Sequence, residues 1–104
     1  QYANYHGYSD VTPFEVTEVK SERKVVIREM KSEKDPSWKP EIIPGGFSGH
    51  CTNQNTQRWN IESDKGGYTF AISKRKDGRW FRVGETCGQF VFADTPRKFH
   101  DYNF

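Results

Sequence analysis

The chain has 104 residues, with 16 lysines and arginines against 14 aspartates and glutamates, so its charge of +2 excludes a strongly charged disordered tail and is mild beside dedicated polyanion binders. There is no leucine, and Ala3, Ala71 and Ala93 are the only alanines, which leaves little from which to build a long helix. No apolar run approaches the ~20 residues of a membrane-spanning helix. Phe, Tyr and Trp make up 15% of the chain, and together with valine and isoleucine they suit a modest core of half-buried strands.

Residues 1–10 read as an ordered aromatic arm carrying Tyr2, Tyr5 and Tyr8. Gln-Tyr-Ala-Asn-Tyr-His has neither a basic n-region nor an apolar h-region, so no retained signal peptide is expected and a cytoplasmic location is. From Pro13 the pattern turns to strand: Phe14 and Val16 alternate with Glu15 and Thr17. After the polar turn Lys20–Lys24, Val25, Val26 and Ile27 complete a first hairpin, with a bulge expected near Val19. Residues 31–46, with Pro36, Pro40, Pro44, Gly45 and Gly46, read as a long loop pinned by Trp38 and Ile42–Ile43. Trp59 and Ile61 mark a strand, Asp64–Gly67 a turn, and Tyr68, Phe70 and Ile72 the next strand. Asp77-Gly78 makes a hairpin, Phe90 and Phe92 a last strand, and Asp94-Thr95-Pro96 opens a short helical turn near residues 94–99. The expected fold is one all-β domain over residues 1–104. It has five to six mainly antiparallel strands in a small barrel or strongly bent sheet, with the two ends of the chain packed together.

The register at Asp77-Gly78 decides where a candidate surface lies. A two-residue loop pairs Lys76 with Arg79, Arg75 with Trp80, Lys74 with Phe81, Ser73 with Arg82 and Ile72 with Val83. Phe70, Ile72, Phe81 and Val83 then form a core face, and Ser73, Arg75, Trp80 and Arg82 an outer one. A loop one residue longer would set Ile72 opposite Arg82 and mix the two, so the shorter loop is expected. Trp80 becomes a stacking platform inside a basic patch of Lys74, Arg75, Lys76, Arg79 and Arg82, which suits single-stranded nucleic acid. In the competing reading Trp80 is covered, and the arginines cap it by cation–π contact. Charge leans toward this half: residues 1–50 carry 7 basic and 8 acidic side chains, residues 51–104 carry 9 and 6.

Catalytic and metal chemistry find little support. His6, His50 and His100 with Cys51 and Cys87 lack paired zinc-ligand spacing, so neither a metal nor a cofactor is expected. Ser48 does not sit in a Gly-x-Ser-x-Gly elbow. Adjacent His50 and Cys51 would point to opposite faces of a strand, so they form no base–nucleophile pair. Pro44-Gly45-Gly46 lacks the lysine and helix of a phosphate loop, and no enzymatic function is expected. Cys51 and Cys87 are either two buried thiols or one disulfide.

Three stretches, Gln1-Tyr-Ala-Asn-Tyr-His-Gly-Tyr-Ser-Asp-Val11, Gly45-Gly-Phe-Ser-Gly-His-Cys-Thr-Asn-Gln54 and Lys98-Phe-His-Asp-Tyr-Asn-Phe104, resemble a family of small bacterial proteins of uncharacterised activity. That family is associated with mobile DNA: phages, plasmids and integron cassettes. The resemblance implies an accessory role in a bacterium and carries over no functional residue. The residues themselves point to a non-enzymatic binding module contacting nucleic acid through the hairpin face. The alternative is a protein-interaction or self-association module, in its simplest form a homodimer, resting on the surplus of Tyr, Trp and Arg.

Overall fold

A computed structural model of the protein describes residues 1–7, 9–43, 50–85 and 88–101, with the backbone alone at His50. Six strands close into an antiparallel barrel: β1 (Tyr2–His6), β2 (Val11–Ser21), β3 (Lys24–Glu29), β8 (Thr69–Lys74), β9 (Trp80–Arg82) and β10 (Gln89–Ala93). Their order around the barrel is their order in the chain, and β10 pairs back onto β1, from Tyr2 opposite Ala93 to His6 opposite Gln89. The connection from β3 to β8 is enlarged into an insertion. Its base is the ladder of β4 (Lys31–Lys34) with β7 (Trp59–Glu62). Further out, β5 (Ile42–Ile43) pairs with β6 (His50–Cys51), followed by a 3-10 turn at Gln54–Thr56. The molecule is correspondingly elongated, 49 × 27 × 21 Å.

Alternation builds the barrel interior. Ala3, Phe14, Val25, Ile27, Ile72 and Phe90 are buried together, with Tyr5, Val16, Phe70, Trp80 and Phe92 packed against them. Phe14, Phe70 and Phe90, one from each of three strands, meet edge-on with centroids 5.4–5.8 Å apart, the arrangement that aromatic quadrupoles favour. The interior of a six-stranded barrel is narrow, and large rings fill it without leucine. The β2–β3 ladder slips on both sides of the expected position, between Val16 and Glu18 and again between Val19 and Ser21. Thr17, left over at the first slip, bonds its hydroxyl to Val26 O at 3.2 Å.

Three local expectations are corrected. Residues 1–10 hold a barrel strand, β1, and not merely an arm. The stretch 31–46 is not one loop: β4 and β5 lie in it, while residues 44–46 fall outside the described residues. The polar run Lys-Ser-Glu-Lys has little strand propensity of its own and becomes β4 because β7 offers a complete ladder. Trp38 does pin this region, buried with Nε1 donating to Thr56 Oγ1 at 3.1 Å, but Ile42 and Ile43 are 51% and 56% exposed and pin nothing. No helical turn forms at 94–99. Asn4 draws that segment out along β1 by donating to Thr95 O at 3.1 Å and accepting from Arg97 N at 2.8 Å, and Phe99 bridges Val11. The chain ends therefore pack as expected through residue 101, with Asp101 N also on Asp10 Oδ1 at 2.7 Å. Tyr8, Tyr102 and Phe104 lie outside the described residues.

Candidate functional site

The hairpin after β8 takes the longer loop, and this rearranges the expected surface. Lys74 faces Trp80, Ser73 faces Phe81 and Ile72 faces Arg82. Arg75 and Arg79 close a three-residue loop: Gly78 N reaches Arg75 O at 2.9 Å, Arg75 N reaches Arg79 O at 2.8 Å, and Gly78 takes φ +90°. This is a type I turn followed by a left-handed glycine, to which Asp-Gly is as well suited as to the two-residue loop. Asp77 locks it, accepting from Arg79 N at 3.0 Å and Arg79 Nε at 2.8 Å. The Arg79 amide foremost, then its guanidinium, holds the Asp77 carboxyl below the ordinary aspartate range.

The six hairpin residues are consequently dispersed. Trp80 is not an outer platform: it lies half-buried against the core, opposite Phe90 and edge-on to Phe92 at 4.9 Å. Phe81 takes the outer side and is still 5% exposed, because Arg75 and Arg79 lie over its ring at 4.6 and 5.2 Å. The cation–π capping in the competing reading is present, on Phe81 and not on Trp80. Arg75 also donates to the Glu85 carbonyl. Lys74 and Lys76 are exposed, and Arg82 reaches the barrel mouth over Phe70.

A different aromatic–basic arrangement forms where the insertion meets the C-terminal segment. Register places Lys34 and Trp59 directly opposite each other on β4 and β7, and therefore on one face. Trp59 Nε1 donates to Gln57 Oε1 at 2.6 Å. Gln57 in turn grips the segment, accepting from His100 N at 2.8 Å and donating to His100 O at 2.9 Å. That clamp lays Lys98 over the Trp59 ring, Nζ 5.5 Å from the centroid. Two hollows open on either side of this pair. One of about 310 Å³ runs along Ile61, Arg97 and Phe99, and one of about 290 Å³ along Ser32, Lys34 and His100; Trp59 and Lys98 line both. No carboxylate lines either hollow among the described residues. Asp10 stands 4.0 Å from His100 Nδ1 at the edge. At the base of the insertion Asp35 accepts from Ser37 N at 2.9 Å and Ser37 Oγ at 2.8 Å, bonds that keep its carboxyl below the aspartate range. The arrangement offers a partly exposed ring, a cation on that ring and further cations along a groove.

Sequence reasoning passed over Lys34, Trp59, Arg97, Lys98 and His100 as a set, because they come from three separate stretches. The one local signal was Arg97-Lys98-Phe99-His100, a basic–aromatic run. No group of three His, Cys, Asp or Glu side chains is placed to hold a metal ion among the described residues. Cys51 is buried, its thiol 3.4 Å from Asn53 Oδ1, and Cys87 lies outside the described residues. No helix is long and apolar enough to cross a membrane among the described residues. Compared with known proteins, the chain matches no family model, no curated protein and no solved structure.

Proposed function

We propose that the protein is a non-enzymatic binding module for single-stranded nucleic acid, and that its contact surface is the groove around Trp59 rather than the β8–β9 hairpin. The observation that carries this reading is the pair of hollows flanking the Trp59–Lys98 stack, lined by Lys34, Arg97 and His100 and by no carboxylate among the described residues. A base stacks on the indole while lysine and arginine follow the backbone phosphates, the combination used for sequence-tolerant single-strand binding. The resemblance to proteins of bacterial mobile DNA supports an accessory role of this kind in the cytoplasm.

Fluorescence anisotropy with a labelled single-stranded oligonucleotide tests it. Lys34, Arg97 and Lys98 offer three phosphate contacts, so log K should fall with log salt at a slope of about −2. Trp59→Ala should weaken binding about 10-fold or more, the loss of one stacked base. Arg75→Ala and Lys76→Ala on the hairpin should leave it nearly unchanged. Lys98→Glu separates loss of the site from loss of the fold, since it reverses a groove charge and removes no core atom. Absence of binding at about 50 μM protein in low salt, where phosphate contacts are strongest, would sink the proposal.

A further inference from the structure

The ladder between β8 and β9 is short. β8 has six residues and β9 only three, and their register uses Ile72, Ser73 and Lys74 alone. Among the described residues Thr69, Phe70 and Ala71 therefore have no strand partner on that side, apart from one long bond from Val83 N to Ala71 O at 3.4 Å. A notch opens beside Phe70 and leads into a hollow of about 280 Å³ floored by Tyr5, Phe14, Phe70 and Phe90. Gly88 at its edge takes φ +70°, and a Cβ there would overlap the Tyr5 ring, 2.5 Å from Cζ. The absent side chain lets the Tyr5 ring lie against the backbone.

Among the described residues Arg82 is the only cation lining this hollow. Its guanidinium lies 4.5 Å from the Phe70 centroid, and Nη2 donates to Tyr68 Oη at 2.8 Å. A guanidinium has five N–H donors, and among the described residues no other side-chain bond and no carboxylate within 4.0 Å engages this one. The contrast is Arg28 on β3, which Glu15 holds at 2.5 Å. An unpaired planar fork beside an apolar floor matches a carboxylate attached to a flat ring. The volume is below that of a drug-sized pocket and accommodates about one ring. Glu29 and Glu85 also line the mouth and oppose any anion there, so what Arg82 can take is limited to a single negative charge and excludes a phosphate chain.

We infer that the barrel mouth is a second binding site, for a small aromatic monocarboxylate, with Arg82 taking the carboxylate and the Phe14–Phe70–Phe90 floor taking the ring. It shares no residue with the Trp59 groove, so either site can fail alone.

The test is a titration of the ¹⁵N-labelled protein with benzoate, followed by NMR, with benzamidine as the ring of opposite charge. Benzoate should give saturable shifts at the amides of Tyr5, Phe70 and Arg82, with a Kd of about 1 mM for so few atoms. Benzamidine should not saturate. Arg82→Gln, its fold checked by amide dispersion, should lose at least about tenfold in benzoate affinity. Glu85→Gln, which removes a repelling charge and no Arg82 contact, should tighten benzoate by about twofold. Saturable binding of benzamidine instead of benzoate overturns the inference. So does benzoate affinity unchanged in a folded Arg82→Gln, or weakened in Glu85→Gln.

Discussion

In the barrel, Ala3, Ile27 and Ile72 are sealed from water within a continuous ring of hydrogen-bonded strands; in the insertion from β4 onward, Trp38 and Cys51 are the buried apolar side chains among the described residues. What holds the insertion's outer part is polar. Asn53 alone accepts from Glu41 N at 2.8 Å and from the Cys51 thiol, and donates to Lys39 O at 2.8 Å. Burial by many neighbours makes a cooperative unit, whereas a few specific bonds make a local one that opens by itself. The candidate groove lies where the two regimes meet. A surface built there takes Lys34 and Trp59 from the insertion and Arg97 and Lys98 from the segment bonded to the barrel.

The sharpest way to break this contrast is Ile27→Ala. Ile27 is fully buried between β2 and β8, so truncation leaves a cavity that closed walls cannot collapse around. We expect a loss of about 3 kcal/mol, a fall in thermal midpoint of about 12–24 °C, and uniform loss of amide protection across both regions.

Asn53→Ala should have the next largest effect and a different distribution. Losing its bonds to the Glu41 amide and the Lys39 carbonyl, both of which water then takes up, costs about 1–2 kcal/mol in all. Hydrogen exchange should accelerate about 5- to 30-fold for the described amides between Lys39 and Asn53 while the barrel strands keep their protection. Equal acceleration in the barrel would show that the insertion is not a separate unit.

The smallest effect is at the seam. Glu15 on β2 accepts from Arg28 on β3 and, through Oε2, from Ser63 Oγ at 2.8 Å just beyond β7. The Arg28 bond foremost, supported by Ser63 and opposed by partial burial, holds its carboxyl below the ordinary glutamate value of 4.5. The depressed value means the contribution is complete above the unfolded pKa and disappears as pH falls through the folded one. Thermal midpoints measured downward from pH 4.5 should therefore drop, and Glu15→Gln should remove about 2–4 °C of that drop. An unchanged slope in the variant would take Glu15 out of the seam.

The same contrast explains what could be read from the chain. Barrel strands announce themselves because one face is buried: Phe14 with Val16, Phe70 with Ile72, and Phe90 with Phe92 alternate, and a small barrel or bent sheet follows, although β1 reads as an arm. The hairpin register did not follow. The alternation favours the shorter loop only if an inward arginine is inadmissible, yet at a barrel mouth Arg82 lies on Phe70 and bonds Tyr68. Phe81 reads as a core residue in the sequence, whereas two guanidiniums bury it from outside. The insertion was illegible for another reason: β4 is strand only by pairing, and its polar residues carry no periodic signal. The groove needed that pairing and the Gln57 clamp together, and nothing local in the chain encodes either.

The closing seam between β1 and β10 also sets an order of events at the ribosome. The edge of Tyr2–His6 that receives β10 waits for residues synthesised about 90 positions later, at 5–20 residues per second roughly 5–20 s. Until then β1 can pair only with β2, and its other margin stays open even as β8 joins β3 and β9 joins β8. The last stave to emerge is thus the one that removes the hazard. A nascent chain stalled before Gln89 would be the form of this protein most prone to join another copy of itself.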